Sequence, residues 1–380
     1  MSSVRIFPVI LAGGASSRLW PTSANNKPKW DLRLFDGPKG STEKLSLLES
    51  TYARARKVAA AADCFVVTSA SQADLVRRSL PELPAANVLV EPEMRDTAGA
   101  VAYAAGAVGK RATLANVKFE DAVMLVLPGD HVIRDLDRFA VCARTAANAA
   151  FEYGALMTFG IVPLAPNTGY GYVQRGEEKK ISNAESNAPA VYRVAAFKEK
   201  PDLATAQKYV SSGEYYWNGG IFAWQLSTLL SEFERQLPAH HTMALALAAT
   251  AAKPGDIGGA LWDAVAVSAF PTLKKTSIDF GIMEGAKSVA TVRADFDWDD
   301  IGSWSAVGPH LPVSGENRVA SGGTLLTVDA KNNVVFASGK RVALIGVEGL
   351  AVIQDGDDIL ICKLDRDQDV KKINEMAKVK

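Results

Sequence analysis

Cysteine and histidine are scarce in this chain: three Cys (Cys64, Cys142, Cys362) and four His (His131, His240, His241, His310) among 380 residues. The cysteines are odd in number and far apart, which offers neither a disulfide framework nor paired metal-ligand spacing. No HExxH or similar pattern joins the histidines, so no zinc site is expected. A surplus of either charge is missing too, because 42 Lys+Arg balance 42 Asp+Glu. Without excess cations there is no broad basic surface for nucleic acid, whose non-specific affinity comes from Lys and Arg. No apolar run approaches the roughly 20 residues that span a bilayer. The longest uncharged small-residue stretch, Thr97–Gly109, is interrupted by glycine and reads as a buried helix. Met1-Ser2-Ser3-Val4-Arg5 carries no signal-peptide core, so no membrane partner and a cytoplasmic location are expected.

What is present is an ordinary globular composition, 48% apolar and 22% charged, at a length that suggests two or three domains. The zero net charge conceals polarity along the chain. The first 57 residues hold ten basic and four acidic side chains, whereas residues 277–304 hold six acidic and two basic ones.

Short apolar runs alternate with helical patterns through the first half. Ile6–Leu11, Cys64–Thr68, Val88–Val90 and Val123–Leu127 read as strands; Ser46–Val58, Ala70–Leu80 and Ala98–Val108 read as helices. This alternation predicts an α/β fold with a mainly parallel sheet covered by helices on both faces. In such sheets ligands sit at the carboxyl ends of strands, which directs attention to the segments after Leu11 and Leu127. Met157–Ile161 and Val191–Phe197 read as further strands, Lys179–Asn187 as an exposed hairpin or loop, and Phe233–Trp262 as helical. Pro, Gly, Ser and Asn cluster at Pro309–Asn317 and mark a boundary. The predicted domains are 1–308, catalytic, and 318–380, a small C-terminal β domain ending in a helix. That second part contains strands at Thr324–Val328, Asn333–Ala337, Val342–Val347, Leu350–Gln354 and Ile359–Leu364, separated by turn residues. Asp367 is expected to cap the last helix. This tail carries no cluster of catalytic side chains and reads as structural or interfacial, a surface on which a homo-oligomer could form because unpaired strand edges need covering.

The strongest local signal is Leu11-Ala12-Gly13-Gly14-Ala15-Ser16-Ser17-Arg18-Leu19-Trp20-Pro21, with Lys29 after Pro28. Two glycines after a strand let backbone N–H groups approach an anion closely, although a tight turn is the commoner explanation for the pair alone. The spacing fits neither a dinucleotide GxGxxG nor a Walker loop. Arg18 can fork onto phosphate oxygens and Lys29 adds a second cation. Asp130, in Pro128-Gly129-Asp130-His131, ends an apolar strand. It fits either a turn or a divalent-cation ligand, since hard ions take carboxylate oxygens near phosphates. Asp295–Trp304 is an acidic loop interleaved with Phe296, Trp298, Ile301 and Trp304, a pattern that disfavours simple solvation. Asp130 and Asp300 together make the two-carboxylate site that suits nucleotidyl transfer. Glu199-Lys200-Pro201 is a surface salt bridge by default, or a sugar and phosphate contact if it borders a pocket.

Taken in order, these motifs resemble the mannose-1-phosphate guanylyltransferases (GDP-mannose pyrophosphorylases), within the sugar-phosphate nucleotidyltransferase superfamily. The resemblance is carried by LAGGASSRLWP with KPK, EPEMRDTAGA (Glu91–Ala100), LPGDH (Leu127–His131), GIVPLAPNTGYGYVQRG (Gly160–Gly176), FKEKPD (Phe197–Asp202), YYWNGGIF (Tyr215–Phe222), SIDFGIME (Ser277–Glu284) and WDDIGSW (Trp298–Trp304). The tail Asn332–Ile373 resembles the C-terminal segment of the same family, so the likeness covers essentially the whole chain. It implies a Rossmann-like α/β catalytic domain with a mixed, mainly parallel sheet flanked by helices, a C-terminal domain like a short left-handed β-helix, and the reaction GTP + α-mannose 1-phosphate → GDP-mannose + pyrophosphate with Mg²⁺. The resemblance further implies catalytic roles for Arg18, Lys29, Asp130, Lys200 and Asp300. Nucleotide contacts would come from Leu11, Ala12, Gly13, Gly14, Arg18, Lys29, Glu91, Asp96, Thr97, Pro128 and Asp130. Sugar-phosphate contacts would come from Gly171, Glu199, Lys200, Asn218, Gly219 and Asp279, and Mg²⁺ ligation from Asp130 and Asp300. Glu91 stands where the base is read: a carboxylate accepts from guanine N1–H and N2–H₂ together, and adenine offers no such pair.

The sequence departs from the family pattern at Ser16, Trp30-Asp31, Asp96, Gly99, Gly129, Asn167 and Gly220. Asn167 and Gly220 bear on the sugar rather than on the reaction type. Two other readings stay open. One is nucleotidyl transfer to another hexose or heptose 1-phosphate; the other is a catalytically silent GDP-mannose-binding homologue, which the presence of Arg18, Lys29, Asp130 and Asp300 disfavours. The chain ends soon after the small β domain, so no fused isomerase is expected.

Overall fold

The computed structural model describes residues 4–14, 17–23, 27–36, 44–182, 184–250, 257, 259–320, 324–337 and 339–377. Ser16, one of the departures noted above, lies outside them, as does part of the helical stretch expected at Phe233–Trp262. By its internal contacts the chain forms two units. The first comprises Met1–Ala12, Thr51–Pro128 and Ile133–Trp298; the second gathers Gly13–Ser50, Gly129–Val132 and Asp299–Lys380. This division differs from the linear one expected at 308–318, because the glycine loop and the segment holding Asp130 group with the C-terminal strands.

The first unit is built on nine strands in the order Val88–Glu91, Phe65–Ser69, Arg5–Ala12, Ala122–Pro128, Tyr215–Gln225, Leu156–Ile161, Val289–Ala294, Val191–Lys198 and Tyr172–Lys179. The first four run parallel, as expected of β–helix–β alternation. Tyr215–Gln225 then enters antiparallel to both of its neighbours, and only Val289–Ala294 against Leu156–Ile161 restores a parallel pair. The sheet is therefore mixed, parallel in its N-terminal half and largely antiparallel beyond. Parallel central strands are covered on both faces, which explains their unbroken apolar runs: Ala122–Leu127 is buried throughout. Against them packs the helix Asp96–Leu114, whose alanines and glycines let it approach closely. A Cβ at Gly106 would come within 2.6 Å of Leu247. Helices at Leu226–Gln236, Pro238–Ala248 and Ala260–Ala269 complete the wall, the second of them opening with Pro238 at its first turn. Among the described residues no helix is long and apolar enough to cross a membrane.

In the second unit the C-terminal strands coil. Asn317–Val319, Val334–Ala337 and Leu350–Asp355 pair in parallel, and Thr324–Val328 pairs in parallel with Arg341–Ile345. Successive strands thus alternate between two sheets, one turn taking the chain from Val334 to Ala351 or from Thr324 to Arg341, as in a β-helix. Tight corners fall at Asp329, Asn332, Gly339, Gly346 and Gly349, all at positive φ. The antiparallel strand Asp358–Lys363 closes the edge. Asp367 does not act as the expected cap: its buried carboxylate accepts the Ser305 N–H at 2.8 Å. The core of this unit combines Leu19, Leu32, Leu34 and Leu47 from the early chain with Ile301, Trp304, Val334, Ile353, Leu360 and Val370 from the end.

Candidate active site

The functional side chains cluster where strands stop. In the first unit Ala12, Ser69, Glu91 and Pro128 end four neighbouring parallel strands, with Leu11 opposite Pro128 in register. The Thr68 hydroxyl donates to the Ala12 carbonyl at 2.8 Å and fixes the last turn of that strand before the glycines. Gly14 has φ +94°, a conformation glycine adopts without strain, and both Gly13 and Gly14 are exposed. Glu91 stands out chemically. Its Oε1 is buried without a hydrogen-bond partner, and burial, aided by the charge of Asp96, pushes its carboxyl up to about 7. A buried acceptor without a donor is costly, so the position invites a ligand N–H. Asp96 sits at φ +63° at the start of its helix and accepts the Thr97 N–H. The Thr97 hydroxyl oxygen accepts from Ile278 N at 2.8 Å, tying the helix start to the 276–278 segment.

Further along the same sheet lies a polar group of a different kind. Asn218 Nδ2 donates to Asp279 Oδ1 at 2.8 Å, and the Thr158 hydroxyl donates to Asn218 Oδ1 at 2.6 Å. The Asn218 backbone N–H donates to the Gly171 carbonyl. Glu199 is packed so close to Gly171 that a Cβ there would lie 2.3 Å from Glu199 Oε1. Gly219 has no more room, since its Cβ would meet the Phe159 carbonyl at 2.9 Å. Burial raises both carboxyls, Glu199 further through the charge of Asp279, while Asn218 and Lys200 work in the opposite direction. Asp279 opens a π-helical turn, Asp279–Met283, a rare geometry that recurs at functional sites. Lys200 is exposed at φ +45°, a strained conformation for a side-chain-bearing residue. Tyr170 stands edge-on to Trp217 (5.0 Å) and Trp298 (5.3 Å), bracing the strand ends that carry Gly171 and Asn218. The arrangement offers several hydrogen-bonding groups to a polyol and one cation to its phosphate.

The second unit assembles the charges. Lys29 Nζ lies 2.7 Å from Asp130 Oδ2 and also donates to the Asp300 main-chain carbonyl. Burial works to raise the Asp130 carboxyl, but Lys29 and His131 outweigh it and hold it below the usual range. The two aspartates sit on segments joined by a short antiparallel bridge, Val132 N to Asp299 O at 2.8 Å and Asp299 N to Val132 O at 3.1 Å. Asp299 is further held by His310 Nε2 at 2.9 Å and accepts the Ile301 N–H, which supports Ile301 at φ +42°. Gly302 faces both remaining members: a Cβ there would be 3.7 Å from Asp300 Oδ1 and 3.8 Å from Arg18 Nη1. Beside Lys29 opens a cavity of about 190 Å³ lined by Lys27, Asp31, Arg33 and Phe336.

Arg18, Lys29, Asp130 and Asp300 are thus brought together, as are Gly171, Glu199, Asn218 and Asp279. Thr158, His310 and Gln368 were not anticipated. The only signal for Thr158 is a hydroxyl in an otherwise apolar buried strand, Leu156–Ile161. Among the described residues no three His, Cys, Asp or Glu side chains converge as a metal cage. Two carboxylates fit a hard ion that takes its other oxygens from phosphates and water.

The first unit carries strand-end polar groups on a mixed α/β sheet, and the second carries cations and carboxylates set together on loops; each set suits phosphate-ester chemistry. The chain belongs to the nucleotidyl transferase family, whose profile matches residues 7–308, and residues 323–376 match the MannoseP isomerase/GMP-like beta-helix domain. Its substrates are accordingly a nucleoside triphosphate and a sugar phosphate, and the family generally uses a divalent metal. Similar proteins include the Xanthan biosynthesis protein XanB of Xanthomonas campestris pv. campestris (strain B100), 38% identical over 98% of this chain and 73% of that protein. The mannose-1-phosphate guanylyltransferase of Escherichia coli (strain K12) is 37% identical over 100% of this chain and 74% of its own. A crystal structure described as mannose-1-phosphate geranyltransferase from Thermus thermophilus superimposes with a TM-score of 0.80 at 32% identity, covering 98% of this chain and 99% of that one.

Proposed function

We propose that the chain transfers GMP from GTP to α-D-mannose 1-phosphate, giving GDP-mannose and pyrophosphate, in the cytoplasm where GTP is made. The observation that carries this reading is the Lys29 ammonium joining Asp130 to the Asp300 segment, with Arg18 alongside, a charge set suited to phosphoryl chemistry. The relatives named mannose-1-phosphate guanylyltransferase supply the substrate identity.

An oxygen of the sugar's 1-phosphate attacks the α-phosphorus of GTP, and the bond to the β-phosphate breaks as pyrophosphate leaves. The nucleophile is already anionic, so no general base is needed; alignment and charge neutralisation do the catalysis. Arg18 and Lys29 neutralise the departing pyrophosphate. Glu91 accepts from the guanine edge, with Leu11, Ala12, Gly13, Gly14, Asp96, Thr97 and Pro128 lining the nucleotide. Lys200 meets the sugar phosphate, and Gly171, Glu199, Asn218, Gly219 and Asp279 the sugar. Asp130 and Asp300 would hold Mg²⁺, which when bound supplies positive charge to the phosphate oxygens.

The test is pyrophosphate release across a matrix of nucleoside triphosphates and sugar 1-phosphates. GTP with mannose 1-phosphate is expected to give the highest kcat/KM; a higher value for another pair overturns the assignment. Binding of GDP-mannose without turnover in any pair would overturn the enzymatic reading itself.

A further inference from the structure

We propose that Gln368, aimed by the buried carboxylate of Asp367, is a positioning residue for Arg18, so that the C-terminal segment sets the guanidinium that receives the triphosphate. The inference rests on the reading of Arg18 given above. It starts from a buried charge. Asp367 is 3% exposed, and a carboxylate so placed must find donors. Oδ2 accepts the Ser305 N–H at 2.8 Å, and Oδ1 accepts from Gln368 Nε2 at 3.3 Å. A carboxamide has one donating and one accepting end, so donation to Asp367 turns Gln368 Oε1 outward. There it accepts from Arg18 Nη1 at 3.0 Å. The reverse orientation would set the amide donors against a cation and the amide oxygen against a carboxylate, two repulsions at once. Charge therefore fixes the direction of the relay.

A second tie reinforces the first. Ser305 belongs to the short helix Trp304–Val307, and the Trp304 indole N–H donates to the Trp20 carbonyl at 3.0 Å. The backbone two residues beyond Arg18 and the tip of its side chain are thus fastened to the same small assembly, while Leu19 between them is buried in the core shared with the C-terminal strands. Arg18 is otherwise an exposed, long side chain with many rotamers. One N–H held by Gln368 leaves the remaining guanidinium donors for phosphate oxygens. Preorganisation of this kind strengthens binding by reducing what must be ordered when the ligand arrives.

Initial rates of the full chain, with GTP and mannose 1-phosphate varied separately, test the relay in Arg18→Ala, Gln368→Ala and the double variant. Gln368 is exposed, so Gln368→Ala is expected to keep its Tm. It should raise KM for GTP roughly three- to tenfold, leave KM for the sugar phosphate unchanged, and add nothing in the Arg18→Ala background. If Arg18→Ala impairs use of GTP but Gln368→Ala does not, the relay is wrong and the reading of Arg18 stands. An equal loss from Gln368→Ala with and without Arg18 overturns the relay in favour of a merely structural role. If Arg18→Ala leaves use of GTP intact, the reading of the phosphate site falls and takes the relay with it.

Discussion

Lys29 Nζ and Asp130 Oδ2 meet at 2.7 Å, and the same ammonium donates to the Asp300 carbonyl, so one cation pins together two segments far apart in sequence. Asp130→Asn keeps the shape and removes the charge. With the proposed roles it lowers kcat/KM by roughly 10²–10³ while the Tm moves by only a few degrees. Steady-state kinetics beside a thermal melt measure both, and near-normal turnover would refute the role of Asp130.

Glu91 gives the chain a pH signature. Its carboxyl is pushed up to about 7 by burial, with Asp96 adding to the effect. The group accepts from N1–H and N2–H₂ of guanine together only when ionised, so KM for GTP should fall as the pH rises from 6 to 8. Glu91→Gln should flatten that profile and narrow the preference for GTP over ATP by roughly 1.5–3 kcal/mol. The stability effect has the opposite sign to that of a salt-bridged acid. With the folded value raised above an ordinary one near 4.5, Glu91 costs stability progressively as pH climbs from there through about 7, and the Gln variant should lose that slope.

Gly171→Ala offers a separation of substrates. The new Cβ would fall 2.3 Å from Glu199 Oε1, the far end of a side chain that can swing away without unfolding anything. Displacing Glu199 should raise KM for the sugar phosphate roughly 10- to 100-fold with little change in KM for GTP. A uniform loss for both substrates would contradict the assignment of Glu199 to the sugar.

Thr158→Val probes the support behind Asn218. It deletes the hydroxyl that donates at 2.6 Å and leaves the Asn218 oxygen only a 3.4 Å contact from the Gly220 N–H. A buried acceptor losing its main donor costs about 1–3 kcal/mol. The expected outcome is a lower Tm together with weaker sugar-phosphate binding, both readable from melts and initial rates.

Much of the site is local and therefore legible in sequence. The glycines after Leu11 and the Asp after Pro128 follow apolar runs of strand length, and strand ends are where an α/β sheet binds ligands. The short strands of the C-terminal part are equally visible, because turn residues recur between short apolar segments; their coiling into a β-helix is implied by the family resemblance and not by that pattern. Strand direction is a different matter. Tyr215–Gln225, whose apolar run is interrupted by Asn218-Gly219-Gly220, is not among the strands expected from the sequence, and only its pairing with Ala122–Pro128 makes it antiparallel. Long-range partnerships leave no trace either: Arg18 meets a side chain 350 positions away, and the second unit is assembled from three separate stretches. Asp367 shows the limit most clearly. As a sequence feature it is a helix cap; in the fold it serves Ser305, to which no local pattern points.

The core that buries Leu19 and Leu32 also contains Ile353, Leu360 and Val370. During synthesis, then, the loop bearing Arg18 is among the first segments to emerge and among the last to find its packing partners. Contacts of such high order are slow to form and leave apolar surface waiting in the meantime. A nascent chain stopped before Val370 would carry every proposed ligand-binding residue and still lack part of the packing behind Leu19. The packing behind Leu19 is complete only once the C-terminal helix that begins at Val370 has been made.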